Sequence, residues 1–415
     1  MLIRLAALLC LLLGVVGIAS ADDAEFTPSG EPGDTLSVSV VTFQPGTEYW
    51  ERFGHNALLL RERTRGIAVT YNYGLFDFRQ KNFFLNFARG QMQYRVAPNY
   101  LENDLAVYAE EGRWAREQRL NLTSAQRGWL RDYLAWNVQH EHRDYRYDYF
   151  LSNCSTKVRD ALDRALGGAL RRQLETSPVG ASYRSEALRL ISPEPLMMIG
   201  MDAALGLSAD TPLNRWSQSF APLALMTALR KATVVDDEGR LQPLVAEESE
   251  LLAPKLAEAP TSAPDLRLPF AVAGILLAVL LLVLQRRRRN TPARYAFAAL
   301  ATMISLVAGL CGVILAALWL VTEHRYGWRN ENLLLLNPLC LLLLPTWIAS
   351  ASGHWQVRQF SRRLSTLILI GTAVAAILHV IPTLAQANLN WWLLLTPIHA
   401  ALAYGLRAST QTDTR

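Results

Sequence analysis

Thiols are scarce in this chain, and what is missing narrows its chemistry before any motif is read. It has four cysteines among 415 residues. Cys10 lies in an apolar run, Leu5 to Ile18, that follows Arg4 and ends at Ala19-Ser20-Ala21 before Asp22 and Asp23. That is the pattern of a cleaved signal peptide over residues 1–21, so Cys10 is expected to leave with it. Cys311 and Cys340 sit in strongly apolar stretches. Cys154 is then alone on the oxidising side of a membrane, which excludes a disulfide framework. Metal patterns are missing too: there is no H-E-x-x-H and no C-x-x-C, and His354, His379 and His399 are scattered through the apolar half. Gly54, Gly74 and Gly90 stand singly rather than in a phosphate-cradling loop, and the soluble part shows no repeat of roughly 20–50 residues. Neither a metal nor a cofactor is expected.

Composition divides what remains. Residues 22–235, rich in Tyr, Trp, Arg and Asn, are long enough to bury a core of their own. Residues 236–266 turn acidic and rich in Pro and Ala, the composition of a linker. Residues 267–407 are mostly apolar, with five candidate spans at 268–285, 295–321, 333–350, 364–384 and 391–406. Each approaches the roughly 20 residues that cross a hydrocarbon core. Arg286 to Arg289 with Arg294, and Arg358 with Arg362 and Arg363, mark two cytoplasmic loops. The loops 323–331 and 385–390 then face the side of the N-terminal domain, and residues 408–415 form a cytoplasmic tail. These arginines account for most of the net charge of +5, so the basic balance points to no nucleic-acid partner.

Within the soluble part, alternation and β-branching predict strands at 36–43, 55–63 and 67–73, followed by further strands at 93–97 and 117–122. A short helix is expected over 81–89, ended by Gly90. Thr123 with Gln126 forms a capping box opening a helix to about residue 139, with Trp129, Leu130, Tyr133, Leu134 and Trp136 on its buried side.

From Asn153 the apolar positions Val158, Ala161, Leu162, Ala165 and Leu166 recur at helical spacing, and Gly167-Gly168 ends the segment. Cys154 falls in the first turn on the inward face. Unpaired N–H groups there favour a thiolate and can hold a developing oxyanion. A small buried core thiol fits the same position. A thiol nucleophile needs an imidazole beside it, and the soluble part has only His55, His140 and His142. The latter two lie in the charged run HEHRDYRYDY, a solvated helix end. His55 opens an apolar strand where its ring can turn into a cleft, or simply be satisfied structurally. Asn72, on the next strand, can orient the ring or be a plain sheet-edge asparagine.

The ordered motifs carry a resemblance. Phe53-Gly54-His55-Asn56-Ala57, Tyr71-Asn72-Tyr73-Gly74, Arg89-Gly90, Gly112-Arg113, Asn153-Cys154-Ser155-Thr156, Ser182-Tyr183-Arg184-Ser185 and Gly200-Met201-Asp202 resemble the periplasmic domain of Lnb-type bacterial lipoprotein N-acyltransferases. His324, Asn330-Glu331-Asn332 and Asn337-Pro338-Leu339 are similar to that family's membrane region. The resemblance implies an α+β fold: a circularly permuted papain-like domain, akin to NlpC peptidases and lecithin:retinol acyltransferase, followed by a five-span helical domain. It implies an acyltransferase of the bacterial inner membrane with its N-terminal domain in the periplasm, and as partners diacylglyceryl-modified lipoproteins and membrane phospholipid. Carried over by position, Cys154 is the nucleophile, His55 the general base and Asn72 the orienting residue. Weaker substrate-binding candidates are Arg113, Asn153, Arg184, His324, Asn330 and Asn332. The two arginines read equally as surface cations, and His324, Asn330 and Asn332 as a polar mouth at the outer end of the third span. Phe83, Phe84 and Phe87 are either core or a surface for acyl chains. Beside acyl transfer to lipoproteins stand two other readings: a cysteine peptidase or amidase acting on cell-wall peptide, and a non-catalytic envelope module in which Cys154 is core.

Overall fold

The computed structural model describes residues 26–408. The expected signal peptide, and all but the first residue of the expected tail, lie outside the described residues. Eleven strands run in chain order: β1 (Leu36–Phe43), β2 (His55–Glu62), β3 (Ile67–Leu75), β4 (Gln93–Tyr100), β5 (Ala115–Leu120), β6 (Asp144–Arg146), β7 (Pro178–Ser182), β8 (Pro212–Asn214), β9 (Thr233–Val235), β10 (Leu241–Pro243) and β11 (Val245–Leu252). Seven of them form one antiparallel sheet in the order β11-β5-β1-β2-β3-β4-β6, and the other four pair into two small ribbons. Around the sheet lie α1 (Phe83–Arg89), α2 (Leu101–Glu110), α3 (Ser124–Asn137), α4 (Cys154–Ala165), α5 (Ala169–Glu175), α6 (Tyr183–Ile191), α7 (Pro195–Ala204), α8 (Arg215–Gln218) and α9 (Pro222–Lys231).

Successive strand side chains point to opposite faces, and here both faces are covered. Val38, Val40, Leu58 and Leu60 meet Leu130 and Leu134 of α3, Val158 and Leu162 of α4 and Leu229 of α9 in the larger core. The alternate positions Val41, Phe43, Ala57 and Leu59 meet Leu101, Leu105 and Tyr108 of α2. His55 shares the second face and Cys154 belongs to a helix on the first. The site is therefore assembled where the sheet ends and the two faces meet.

Within the acidic stretch expected as a linker over 236–266, two segments are strands, β10 and β11. β11 adds to the sheet edge beside β5, bringing Glu247 opposite Arg119 at 3.1 Å and Glu248 within 3.2 Å of Gln118. Glu248 also pairs with Arg230 of α9. A charged edge strand has the composition of a solvated segment because one side of it stays in water.

Among the described residues, four helical segments are long and apolar enough to cross a membrane. They are α10 (Arg267–Arg286), α11 (Thr291–Leu320), the interrupted segment Asn332–Ala349 and α14 (Gln359–Leu378). The interrupted one consists of α12 (Asn332–Leu335), a 3₁₀ stretch at Pro338–Leu343 and α13 (Leu344–Ala349). α15 (Leu389–Ala408), at 20 residues, is as long as α10 but less apolar, since Asn390, Thr396, Pro397 and His399 interrupt it. It packs along α10 and α14.

The two halves are joined by buried polar groups. Arg184 of α6 is 3 % exposed and donates to the Asp202 carbonyl at 2.7 Å, to Asp210 Oδ1 at 2.7 Å and to the Leu205 carbonyl at 2.8 Å. Asp202 Oδ2 in turn accepts from Asn390 Nδ2 at 2.8 Å and Trp391 Nε1 at 2.9 Å, at the start of α15. Asn330 and Asn332 both donate to the Ala203 carbonyl, at 2.8 and 3.0 Å, and so cap the end of α7. Removing one partner of a buried pair strands the other's charge, at a cost of about 3–5 kcal/mol. Arg184→Met is accordingly expected to lower the thermal midpoint of the detergent-solubilised protein and to open the end of α7 to protease. Leu241→Ser, on an exposed ribbon, should leave both readouts as they are.

Candidate active site

The position of Cys154 follows from how α4 begins. Asn153 caps the helix, its Oδ1 accepting from Thr156 N–H at 2.9 Å while Thr156 Oγ1 accepts from Asn153 N–H at 2.8 Å. The same side chain donates to the Phe220 carbonyl at 3.0 Å, and Ser155 Oγ donates to the Ser219 carbonyl at 2.7 Å. These bonds pin the helix start to the segment ahead of α9, with Cys154 as its first residue. Beneath it β3 turns through Gly74 at φ +92°, a conformation that favours glycine, and a Cβ there would stand 3.5 Å from the Cβ of Cys154. Asn153, expected among substrate-binding residues, is thus buried and occupied in holding the helix.

His55 opens β2 opposite Phe43 and stacks on its ring at 5.9 Å. Its Nε2 lies 3.0 Å from Asn72 Oδ1. The orientation of that amide is set behind it: Asn72 Nδ2 donates to Asp104 Oδ2 at 2.9 Å and to Thr70 Oγ1 at 3.3 Å, so the oxygen faces His55. Nε2 then carries the proton, leaving Nδ1 for the Cys154 thiol with which the ring is hydrogen-bonded. Asp104 is itself held by Thr70 Oγ1 and Asn99 Nδ2, each at 2.5 Å. Reasoning from sequence missed Asp104 and the whole of α2. The available signal was that Thr70 and Asn72, two apart on a strand, share one face and leave two amide and hydroxyl groups needing a partner there.

The electrostatics are those of a coupled pair. Burial pushes the Cys154 thiol up, but the His55 charge and hydrogen bond, with N–H groups of Asn56 and Ser155, outweigh it and hold the thiol below its usual range. Burial pushes His55 down, and the charge and hydrogen bond of Cys154 together with the bond to Asn72 carry it above its ordinary value. Each group stabilises the charged form of the other. A thiolate beside an imidazolium is a nucleophile with a proton donor in place.

Above the pair opens a cavity of about 560 Å³, within the usual range for small-molecule sites. Its walls are largely aromatic, including Phe83, Phe84 and Phe87 of α1, Tyr147 and Phe150, and they extend to Leu318 of α11. All three phenylalanines therefore face the cavity, and every residue of α1 is exposed or half-buried, so the core reading of this stripe does not hold. His324 also lines the cavity, its Nε2 3.0 Å from the Phe87 carbonyl.

The remaining candidates lie elsewhere. Arg113, 4 % exposed, donates to the Gln44 carbonyl at 2.6 Å and to Glu111 at 2.8 Å, and stacks over Tyr108. Arg184, Asn330 and Asn332 belong to the joint between the halves. The arginines are neither surface cations nor free anion binders, and the two asparagines form no open mouth, because backbone carbonyls and carboxylates already occupy their donors.

Fold and site together define a multi-helix membrane protein with a thiol–imidazole pair at the base of an apolar cavity that the membrane half helps to wall. Residues 31–188 match the family model of the Lnb N-terminal periplasmic domain, and residues 261–404 that of the Lnb transmembrane domain. The chain belongs to the Lnb family, the one its motifs resemble. No curated protein and no solved structure matches it.

Alkylation of Cys154 by iodoacetamide, followed by peptide mass spectrometry across pH, checks the ion pair. The native thiol should react with a midpoint below about 8.5, the value for a free cysteine. His55→Ala should move the midpoint upward, since burial is then opposed only by the N–H groups of Asn56 and Ser155. Asp104→Asn should shift it the same way by less, through loss of the anchor for Asn72.

Proposed function

We propose that this protein is a cysteine acyltransferase of the bacterial inner membrane, working on the periplasmic side. It transfers a fatty acyl chain through a Cys154 thioester to the α-amino group of the N-terminal lipidated cysteine of lipoproteins. The observation carrying this reading is the placement of the Cys154–His55–Asn72 array at the base of an aromatic cavity walled partly by a membrane helix. In this reading the sheet, with its cysteine helix downstream of its histidine strand, is a circularly permuted papain-like core, and α15 is a fifth span.

The chemistry proceeds in two displacements. Cys154 Sγ attacks the ester carbonyl of a glycerolipid, and N–H groups at the start of α4 hold the oxyanion. The C–O bond breaks as His55 gives its proton to the departing glycerol oxygen, leaving the thioester. The lipoprotein α-amine then attacks the thioester carbonyl, His55 takes the amine proton, and the C–S bond breaks to restore the thiolate. Water would intercept the thioester in an open site, whereas apolar walls favour the amine. Asn72, fixed by Asp104, keeps the imidazole in register through both steps. A cell-wall peptide has no matching apolar segment for such a cavity, so the walls argue for a lipid substrate.

The test is mass spectrometry of a lipoprotein N-terminal peptide from a host depleted of its own N-acyltransferase. N-acylation is expected with the intact protein and absent with Cys154→Ala. His55→Ala should reduce it on the order of 10²–10⁴-fold, the usual worth of general acid–base catalysis. Free α-amines with the intact, expressed protein would overturn the reading and leave amidase chemistry to be assayed on peptidoglycan fragments.

A further inference from the structure

We infer that α1 and the turn at Tyr49-Trp50 form a lip seated in the outer interface of the bilayer, through which the acyl chain of a membrane glycerolipid slides sideways into the cavity. This rests on the acyl-transfer reading and names the source of its donor.

Large apolar side chains stand exposed among and beside the residues that line the cavity. Phe84 is 75 % exposed and Leu196, at the start of α7, 87 %. Trp50 and Tyr49, in edge contact at 4.7 Å, are about half exposed. Contiguous exposure of this kind marks an interaction surface rather than chance.

The occupant is indicated by what the patch continues. α1 is fixed directly above the end of α11, one of the membrane-crossing segments. Glu323 N–H donates to the Arg89 carbonyl at 2.8 Å, Gln91 Nε2 donates to Glu323 Oε1 at 2.6 Å, and Arg146 forms an ion pair with Glu323. Gly90, at φ +73°, lets the chains approach so closely that a Cβ there would stand 3.0 Å from the His324 nitrogen. α11 itself ends in Leu320, and Leu320 and the following Val321 are both more than 70 % exposed. The exposed apolar surface of the membrane helix and that of the lip thus meet across a short polar junction, Glu323 with Gln91 and Arg146, as suits the headgroup level of a bilayer. Aromatic residues at this level match the belt that membrane proteins place among headgroups. Lys81 and Arg89, both exposed, flank α1 with charge of the sign that anionic headgroups attract. Phe83, Phe84, Met197 and Leu318 then line the way down to Cys154. A chain entering there passes along mostly apolar walls before its carbonyl reaches sulfur.

The experiment uses the full chain in nanodiscs of phosphatidylethanolamine and phosphatidylglycerol. Benzoylphenylalanine replaces Phe84, or Leu241 as a control, and photolysis is followed by mass spectrometry. Phospholipid adducts at position 84 and not at 241 are expected. Adducts at neither position, or adducts at 84 to an added lipoprotein peptide in place of lipid, would overturn the lip. In a second arm, Leu85→Asp with Leu196→Asp changes the lip without touching the cavity lining. Charges at the interface are expected to slow Cys154 thioester formation from nanodisc lipid by about tenfold, relative to thioester formed from water-soluble p-nitrophenyl butyrate in the same sample. Equal loss with both donors would overturn lateral passage. If the unaltered protein forms a Cys154 thioester from neither donor, acyl transfer itself fails, while the photo-adducts still report on the lip.

Discussion

Arg184 is the group on which the joint between the two halves depends. Its guanidinium is buried with two carboxylates, and one of those, Asp202, is shared with Asn390 and Trp391 of the membrane half. Burying such charges is costly unless every lone pair and proton is met, and here the partners come from α6, α7, the Leu207–Asp210 turn and α15 together. The arrangement is satisfied only when the N-terminal domain sits at one place and angle. The cavity requires that same placement, because Leu318 and Tyr326 belong to the membrane half while Cys154 and Phe150 belong to the other.

A second constraint operates at the thiol. Cys154 and His55 approach from helices and strands on opposite faces of one sheet, and neither face alone holds both. What brings them together is local backbone economy: a capped helix start, a left-handed glycine below it and a strand whose first residue is the histidine. Behind them, Asn72 and Asp104 extend the array away from the cavity, where a carboxylate fixes an amide and the amide fixes an imidazole. None of these groups has to move for the proton to change partner between sulfur and nitrogen.

The legibility of this molecule follows from the range of its interactions. Strands β1 to β3 and helices α3 and α4 could be read because alternation, capping boxes and helical spacing are encoded within a dozen residues. Cys154 and His55 were found by elimination among few thiols and imidazoles. β11 was hidden because its glutamates look solvated until Arg119 and Arg230 are placed beside them. The duties of Arg113, Arg184, Asn330 and Asn332 were hidden for a similar reason: each side chain is consumed by backbone groups that only the tertiary fold brings near. Asp104 lies 32 residues beyond Asn72 with no periodic signal linking them. In the interrupted third segment and at the start of α15, both located from the sequence, the roles of the asparagines were hidden in the same way, since they serve neighbours rather than lipid.

The edge strand β11 has a bearing on reach. A domain tied to its anchor by a free tether samples a hemisphere, and its catalytic centre meets partners at many heights above the bilayer. Here the chain leaving the domain is stitched along β5, then held again where Gln44 donates to the Ala257 carbonyl at 2.9 Å, before it descends into α10. Little slack is left for tilting or lifting. The cavity is therefore a gauge set at one altitude above the membrane half, and a group that reaches Cys154 must present its reacting atom at that height.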